Sequence, residues 1–138
     1  MDASDPVDAE LTAQVAAAAP FAGYLGIEIV SAAPNEVRGR LAWSEDKCTT
    51  GGVLHGGALM GLADSLGGFC AFLNLPPDAR GTATIESKTN FLGPIRGGYV
   101  DAITRPLHTG KRTIVVDTEL YDDAGKLVAR VTQTQAVL

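Results

Sequence analysis

The chain has 138 residues, enough for one domain with its own core, and its 46% hydrophobic and 20% charged residues are typical of an ordered globular protein. A formal net charge of −5 and a pI near 4.8 argue against a nucleic-acid or anionic-membrane surface. The acidic N-terminus lacks a basic segment followed by an apolar stretch, so we expect no secretory signal and a cytoplasmic protein.

The predicted elements follow one another as helix, hairpin, long helix and four strands. Residues 8–19 are rich in helix formers and stop before Pro20, and strand-like residues 27–32 and 37–43 are joined by a turn at Pro34 and Asn35. The apolar run 53–75 predicts a long helix, which two prolines end.

The second half of the chain contains strands only. Four strand-like runs with turn residues between them are predicted at 84–92, 98–107, 111–121 and 126–137. Short turns favour a single antiparallel sheet, and only the glycine-rich helix is apolar enough to fill its concave face. The sequence therefore predicts one α+β domain over residues 1–138, with a short N-terminal helix.

One carboxylate stands out in the long apolar run. Asp64 is its only formally charged residue, and a chain that keeps a carboxylate in its most apolar helix usually keeps it for chemistry. About 20 apolar residues suffice to cross a bilayer. Asp64 lies mid-run, however, among five glycines that each cost roughly 1 kcal/mol in a helix: Gly56, Gly57, Gly61, Gly67 and Gly68. We interpret the run as a helix wrapped closely by a sheet and not as a membrane span.

The basic residues and the cysteines give weaker signals. Five of the eleven Lys and Arg residues lie between 88 and 112, where Asp101 is the only acid. This predicts a site for a small polyanionic ligand, with a solvated basic strand face as the alternative. Cys48 and Cys70 form no disulfide framework or CxxC pattern, so we expect reduced thiols and no metal site.

Several motifs resemble the hot-dog fold and, within it, the phenylacetate-pathway (PaaI-like) type of acyl-CoA thioesterase. The specific part is a Gly-x-x-His-Gly-Gly-Ala segment ending at Ala58, followed by Leu62-Ala63-Asp64, and weaker matches lie at Thr84-Ile85, at Asn90-Phe91-Leu92 with Pro94, and at 123–129. The resemblance implies a six-stranded sheet around the helix, a homodimer that often pairs into a homotetramer, and hydrolysis of acyl-CoA without a further cofactor.

The resemblance also implies site residues. Asp64 would be the catalytic carboxylate, the Gly56 backbone N–H the oxyanion donor, and His55 a neighbour of the reacting carbonyl. Thr49 stands where similar proteins carry Asn or Gln, and it reaches less far. The remaining candidates are predicted to bind substrate and the coenzyme A phosphates: Gly57, Asn90, Arg96, Lys111 and Arg112.

Elementary chemistry supports the first two roles. A helix N-terminus presents unpaired N–H groups and partial positive charge, so Gly56 can stabilise an oxyanion. Asp64 can act as nucleophile or as general base, and the sequence leaves both open. Because eight residues of helix span roughly 12 Å, Gly56 and Asp64 of one chain cannot both reach one carbonyl carbon. We therefore predict that Asp64 of one chain faces Gly56 of another across a two-fold axis.

Two other functions remain open on the same scaffold. Hot-dog hydratases and dehydratases also use a carboxylate and a histidine, but their pattern usually places Asp before His, whereas His55 precedes Asp64 here. A non-catalytic acyl-CoA-binding protein is the other alternative, because Thr49 departs from the pattern. The acyl group is expected to be aromatic or of medium length.

Overall fold

A computed structural model describes residues 5–138 of the chain. Its elements begin with two short helices and end with four consecutive strands: α1 (Ala9–Ala18), α2 (Pro20–Leu25), β1 (Glu28–Ala33), β2 (Glu36–Ala42), α3 (Gly56–Leu73), β3 (Thr82–Phe91), β4 (Tyr99–Thr109), β5 (Thr113–Tyr121) and β6 (Leu127–Val137). Two single turns of 3₁₀ helix, Glu45–Lys47 and Thr50–Gly52, precede α3.

The strands form one antiparallel sheet in the order β1-β2-β4-β5-β6-β3, and α3 packs against all six of them. Leu62 and Leu66 of α3 are fully buried, as are Val100, Val116 and Leu120 of the sheet. The α+β architecture predicted from the sequence, with a six-stranded sheet around a long helix, is confirmed.

The helix α3 is long and apolar enough to cross a bilayer, by length and composition alone. It lies instead on the concave face of the sheet, where it supplies much of the core. Two of its glycines permit close packing: a Cβ on Gly61 would lie 2.7 Å from Leu25 Cδ1, and one on Gly67 would collide with the Gln133 side chain. A Cβ on Gly68 would meet nothing within 4 Å, so close packing of the helix does not require this glycine.

The second helix was not predicted. Pro20 was expected to end the N-terminal helix, and α1 does stop at Ala18, with the Asp8 carboxylate accepting a hydrogen bond from the Leu11 N–H at its start. Pro20 then begins α2 as its first residue, because proline lacks only an N–H that has no partner in the first turn. The helix α2 ends at Gly26, which adopts a left-handed φ of 78°.

The two edges of the sheet differ. At β1, the Ile29 backbone exchanges hydrogen bonds with the N-terminal segment: its carbonyl accepts from the Asp8 N–H and its N–H donates to Thr12 Oγ1. The outer edge of β3 has no strand beside it among residues 5–138, and Ile85 and Phe91 on this strand are 63% and 52% exposed. A long edge strand with exposed apolar side chains is a template for pairing with another chain.

Candidate active site

Asp64 lies on the flank of α3, between the face that packs on the sheet and the face that turns outward. It is exposed in the single chain, although it belongs to the most apolar helix of the sequence. The helical period explains this, because Ala63, Leu66 and Gly67 take the sheet-facing positions around it. The protein atoms around the carboxyl nevertheless exclude part of its hydration water, and this partial burial raises the pKa of the Asp64 carboxyl above its usual value of 3.8.

The start of α3 is organised by His55, the N-cap residue. Its Nδ1 accepts a hydrogen bond of 2.7 Å from the Gly57 N–H, so a neutral ring carries its proton on Nε2. The chain entering the helix is held by the His55 N–H, which donates to the Lys47 carbonyl. The Gly56 N–H has no acceptor among residues 5–138. Of the N–H groups of Gly56 and Gly57, the free one is therefore that of Gly56, which is the donor predicted to bind an oxyanion.

The ring of Phe91 covers Gly56. A Cβ at Gly56 would lie 2.9 Å from Phe91 Cζ, so the missing side chain makes room for this ring of β3 and not only for a ligand. Phe91 is 52% exposed and can turn on its side-chain bonds. The free N–H thus lies beside a movable aromatic ring.

Thr49 lies in the loop before α3 and is exposed. The loop is held by the Thr49 N–H, which donates to the Val53 carbonyl, and by Trp43 Nε1, which donates to the Gly52 carbonyl at 3.0 Å. Gly51 and Gly52 both adopt positive φ, which a side chain would disfavour. The Thr49 hydroxyl makes no hydrogen bond within the part of the chain that the structure describes, so it is available to a ligand.

An apolar groove of about 540 Å³ runs between α3 and the two N-terminal helices. Asp64 and Ser65 are the first α3 residues along it, and Phe72 is the last, which gives a length of roughly 12 Å. Its other lining residues are mostly apolar: Leu11, Gln14, Val15, Ala18, Ala19, Phe21, Ala22, Gly68 and Phe69. A carboxylate at one end of an apolar groove suits an apolar substrate with one reactive polar group.

The basic residues of 88–112 do not converge within one chain. Arg96 lies near the start of α3, where its Nη1 donates to the Gly51 carbonyl at 3.2 Å. Lys111 lies at the other end, beside the prolines that follow α3, and Arg112 is exposed next to it. By helix rise, about 27 Å separates the two ends. These cations therefore cannot contact the same phosphate in one subunit.

The other two basic residues of this segment have partners. Arg105 forms an ion pair with Glu36 at 2.8 Å. Lys88 Nζ donates to Asn90 Oδ1 at 2.7 Å on exposed β3, so the predicted substrate residue Asn90 lies on the open edge strand. Neither Arg105 nor Lys88 is a free cation in the single chain.

Gln133 was not identified from the sequence as a neighbour of Asp64. Gln133 on β6 is 1% exposed, and its Nε2 donates to Asp64 Oδ1 at 3.4 Å. The signal was present, because Gln133 and Gln135 alternate with Thr132 and Thr134 and so share the face of β6 with buried Val131. Two glutamines in register with a core valine indicate a buried polar contact.

Metal-ligating clusters were also sought among the described residues. No three His, Cys, Asp or Glu side chains lie together there in a way that would hold an ion. Cys48 and Cys70 are both free thiols, and burial raises the pKa of Cys70 to about 11. A thiol so rarely ionised is a poor nucleophile, and neither cysteine lines the apolar groove.

Comparisons with known proteins identify the family of the chain. Residues 51–129, more than half of the chain, match the thioesterase superfamily. A candidate esterase from Saccharolobus solfataricus is 33% identical over 107 residues, covering 78% of this chain and 75% of that protein. A 1,4-dihydroxy-2-naphthoyl-CoA hydrolase from Escherichia coli is 33% identical over 87 residues, covering 63% of each.

Solved structures share the fold. A mutant of the phenylacetic acid degradation protein PaaI from Thermus thermophilus superposes with a TM-score of 0.78 at 28% identity, covering 86% of this chain and 99% of that one.

Proposed function

From the premise that this chain belongs to the thioesterase superfamily, we propose that it is a homo-oligomeric acyl-CoA thioesterase. The observation that carries the proposal is that α3 bears two groups that suit the reaction: a free N–H at Gly56 and a carboxylate at Asp64 beside an apolar groove. A helix N-terminus stabilises the negative charge that develops on a thioester oxygen, and a carboxylate of raised pKa is suited to base or nucleophile chemistry.

The reaction needs both groups at one carbon. In one route Asp64 accepts a proton from water as the water oxygen bonds to the thioester carbon. In the other, the carboxylate itself attacks and forms an anhydride that water then opens. In both, the Gly56 N–H donates to the oxyanion, the carbon–sulfur bond breaks, coenzyme A leaves as a thiolate that takes up a proton, and the acid is released. His55 is placed next to the oxyanion donor.

The separation of the two groups requires a second subunit. Gly56 lies beside Phe91, and Asp64 contacts Gln133, which pairs with Ser87. Four residues of strand span about 13 Å, and eight residues of helix span about 12 Å, so the two intervals match. If β3 pairs with β3 of a second copy about a two-fold axis near Thr89, each Asp64 comes level with the other chain's Gly56.

The open edge of β3 supports this pairing. Almost the whole strand is exposed, including Ile85 and Phe91, although α3 lies above the same sheet. Pairing with a second copy would satisfy the free backbone groups of the edge and cover these side chains. A homodimer with two equivalent sites follows from the proposal.

The groove would take the acyl group. The residues Phe21, Phe69 and Phe72 line it, and its length of roughly 12 Å suits an aromatic or a medium-chain acyl group. The Escherichia coli relative is named for an aryl-CoA substrate, which supports the aromatic choice. Gly57 and Asn90 remain predicted substrate contacts.

The coenzyme A moiety would extend from the N-terminal end of α3. Arg96 contacts the Gly51 carbonyl in the loop before Gly56 and is the first candidate for a phosphate contact. Lys111 and Arg112, at the far end of α3, would act on a site that includes another subunit, as in the homotetramer of our proposal. The cytoplasmic location and the lack of a further cofactor stay predictions.

Thiol release from a panel of acyl-CoA substrates tests the proposal. The wild-type protein is expected to release coenzyme A, and Asp64→Asn, which keeps the size of the side chain, is expected to lose at least about 10³-fold in kcat. Hydration of an enoyl-CoA without thiol release would favour the hydratase alternative. Tight binding without turnover would favour the binding-protein alternative, which the exposed Thr49 keeps open.

A further inference from the structure

Two glutamines lie in the core of the fold, where their amides need partners. Gln133 and Gln135 are each 1% exposed on β6. Burying an amide without hydrogen bonds costs free energy, and apolar side chains at these positions would avoid the cost. Core packing alone therefore does not explain why glutamine occupies these two positions.

The hydrogen bonds of these amides lead to Asp64. Gln135 Nε2 donates to Thr84 Oγ1 at 2.8 Å and to Gln133 Oε1 at 3.1 Å. Because Gln133 Oε1 accepts this bond, Gln133 Nε2 is turned to the other side, where it donates to Asp64 Oδ1 at 3.4 Å. The series begins at Thr84 on β3, crosses β6 and ends on the carboxylate.

Gly67 opens the path for the Gln133 side chain. A Cβ at Gly67 would collide with Gln133 Oε1 and lie 2.9 Å from its Cδ. Gly67 lies three residues after Asp64, so the amide passes beneath the helix one turn from the carboxylate. Any larger residue at this position would displace the amide that Asp64 contacts.

We infer that Gln133 is a positioning residue for thioester hydrolysis, a role that rests on the proposed function of Asp64. Its amide engages Oδ1 and so fixes the carboxylate on the flank of α3, while Oδ2 is left to meet the reacting carbon or to take the proton of water. Gln135 and Thr84 act one step further away, because they hold the Gln133 amide in the orientation that presents Nε2.

A hydrogen-bond donor beside a carboxylate is expected to favour its charged form. Burial raises the pKa of this carboxyl, and no charged side chain of α1, α2, α3 or the sheet contributes to the shift among the described residues. The other polar side chains near it in the groove are Gln14 and Ser65. A hydrogen bond to the carboxylate opposes the effect of burial, so removing the amide raises the pKa further.

The test compares Gln133→Met, which keeps the volume and removes the amide, with Thr132→Val on the opposite face of β6. The Thr132 hydroxyl donates to Asp117, away from Asp64, which makes it a matched loss of one hydrogen bond. Using thiol release across pH, we expect Gln133→Met to lower kcat about tenfold with KM within about twofold, and to move the acid limb of the kcat profile to higher pH. Thr132→Val should change neither.

A double variant separates positioning from a general structural role. In the Asp64→Asn background, Gln133→Met should leave the residual rate unchanged, because the reactive carboxylate that Gln133 positions is already gone. An equal tenfold fall in that background, or unchanged kcat and pH profile in folded Gln133→Met, would overturn the inference. Gly67→Ala, which displaces the same amide, should reproduce the kcat loss and serves if Gln133→Met fails to fold. Full activity of Asp64→Asn would instead reject the proposed function itself.

Discussion

Gly56 and Asp64 lie eight residues apart on one helix, so that about 12 Å of helix axis separates a free backbone N–H from the carboxylate. A reacting carbon has to be within about 3.5 Å of its attacking group. If the proposed function is right, each chain supplies two half-sites that its own geometry keeps apart. Variants at Gly56 and Asp64 test the two groups separately, and mixed dimers of these variants test them together.

The first prediction concerns the Gly56 N–H. Proline is well accepted at the first position of a helix, where it removes the N–H and adds a ring beside Phe91, so Gly56→Pro should fold and lower kcat by about 10²-fold to 10³-fold. Gly56→Ala is the matched control, because it adds a Cβ beside the movable Phe91 ring but keeps the donor. Thiol-release kinetics of both variants decide the point. Equal activity of the two would show that this N–H does not bind the oxyanion.

The second prediction concerns stability and pH. Burial raises the pKa of Asp64 above 3.8, so the folded chain binds this proton more readily than the unfolded chain, and stability falls as pH rises from that value through the raised pKa. Asp64→Asn removes the charged form, so it should be more stable than wild type at about pH 7 and lose this advantage below about pH 3.5. Urea unfolding of both proteins at the two pH values measures this difference in the free energy of unfolding.

The exposed Asp78 provides a control for that measurement. Asp78→Asn removes a carboxylate of equal charge from a surface loop and should not show the same gain near neutral pH. A stability gain of Asp64→Asn that persisted at low pH would contradict the assignment, because the wild-type carboxyl is then neutral as well.

The third prediction concerns the acyl groove. Gly68 lines the groove and a Cβ there meets nothing within 4 Å, so we expect Gly68→Leu to fold and to occupy part of the groove. Displacing two methylenes of substrate, at about 0.8 kcal/mol each, should lower kcat/KM for medium-chain or aromatic acyl-CoA about tenfold and spare short acyl-CoA. A uniform effect on all chain lengths would place the acyl group elsewhere.

The fourth prediction concerns coenzyme A. Arg96→Ala should raise KM for acyl-CoA about threefold to tenfold with little change in kcat, because a phosphate contact contributes mainly to binding. Lys111→Ala and Arg112→Ala report on the far end of α3. If only these two raise KM, the nucleotide lies against another subunit, and unchanged KM in all three would exclude the basic segment.

The fold was predictable because its periodicities are regular. Within the run 111–121, which was predicted as a strand, Ile114, Val116 and Leu120 alternate with less buried or polar neighbours, and all three are fully buried on β5. The resemblance to PaaI-like thioesterases is likewise confirmed by the family match and the shared fold. The helix α2 was missed because proline both ends and begins helices, and only the path of the chain distinguishes the two.

The site was less predictable than the fold. Gly56 and His55 begin α3 as expected, because their motif lies at the boundary between a polar loop and an apolar run. The sequence did not predict that Asp64 lies on the flank of α3, because nearly every residue of the run is apolar and no polar face of the helix can be recognised. The contact with Gln133 joins residues 69 apart in sequence, and it depends on the register of β6 under α3, which local pattern does not specify.

Subunit complementation tests the central claim most directly. Asp64→Asn and Gly56→Pro are each expected to be nearly inactive as homodimers. When the two chains are unfolded together and refolded, half of the dimers should be mixed, and each mixed dimer should contain one intact site formed by Gly56 of one chain and Asp64 of the other. Thiol release should then recover to about a quarter of the wild-type rate. A mixture as inactive as its two parents would contradict a site shared between subunits.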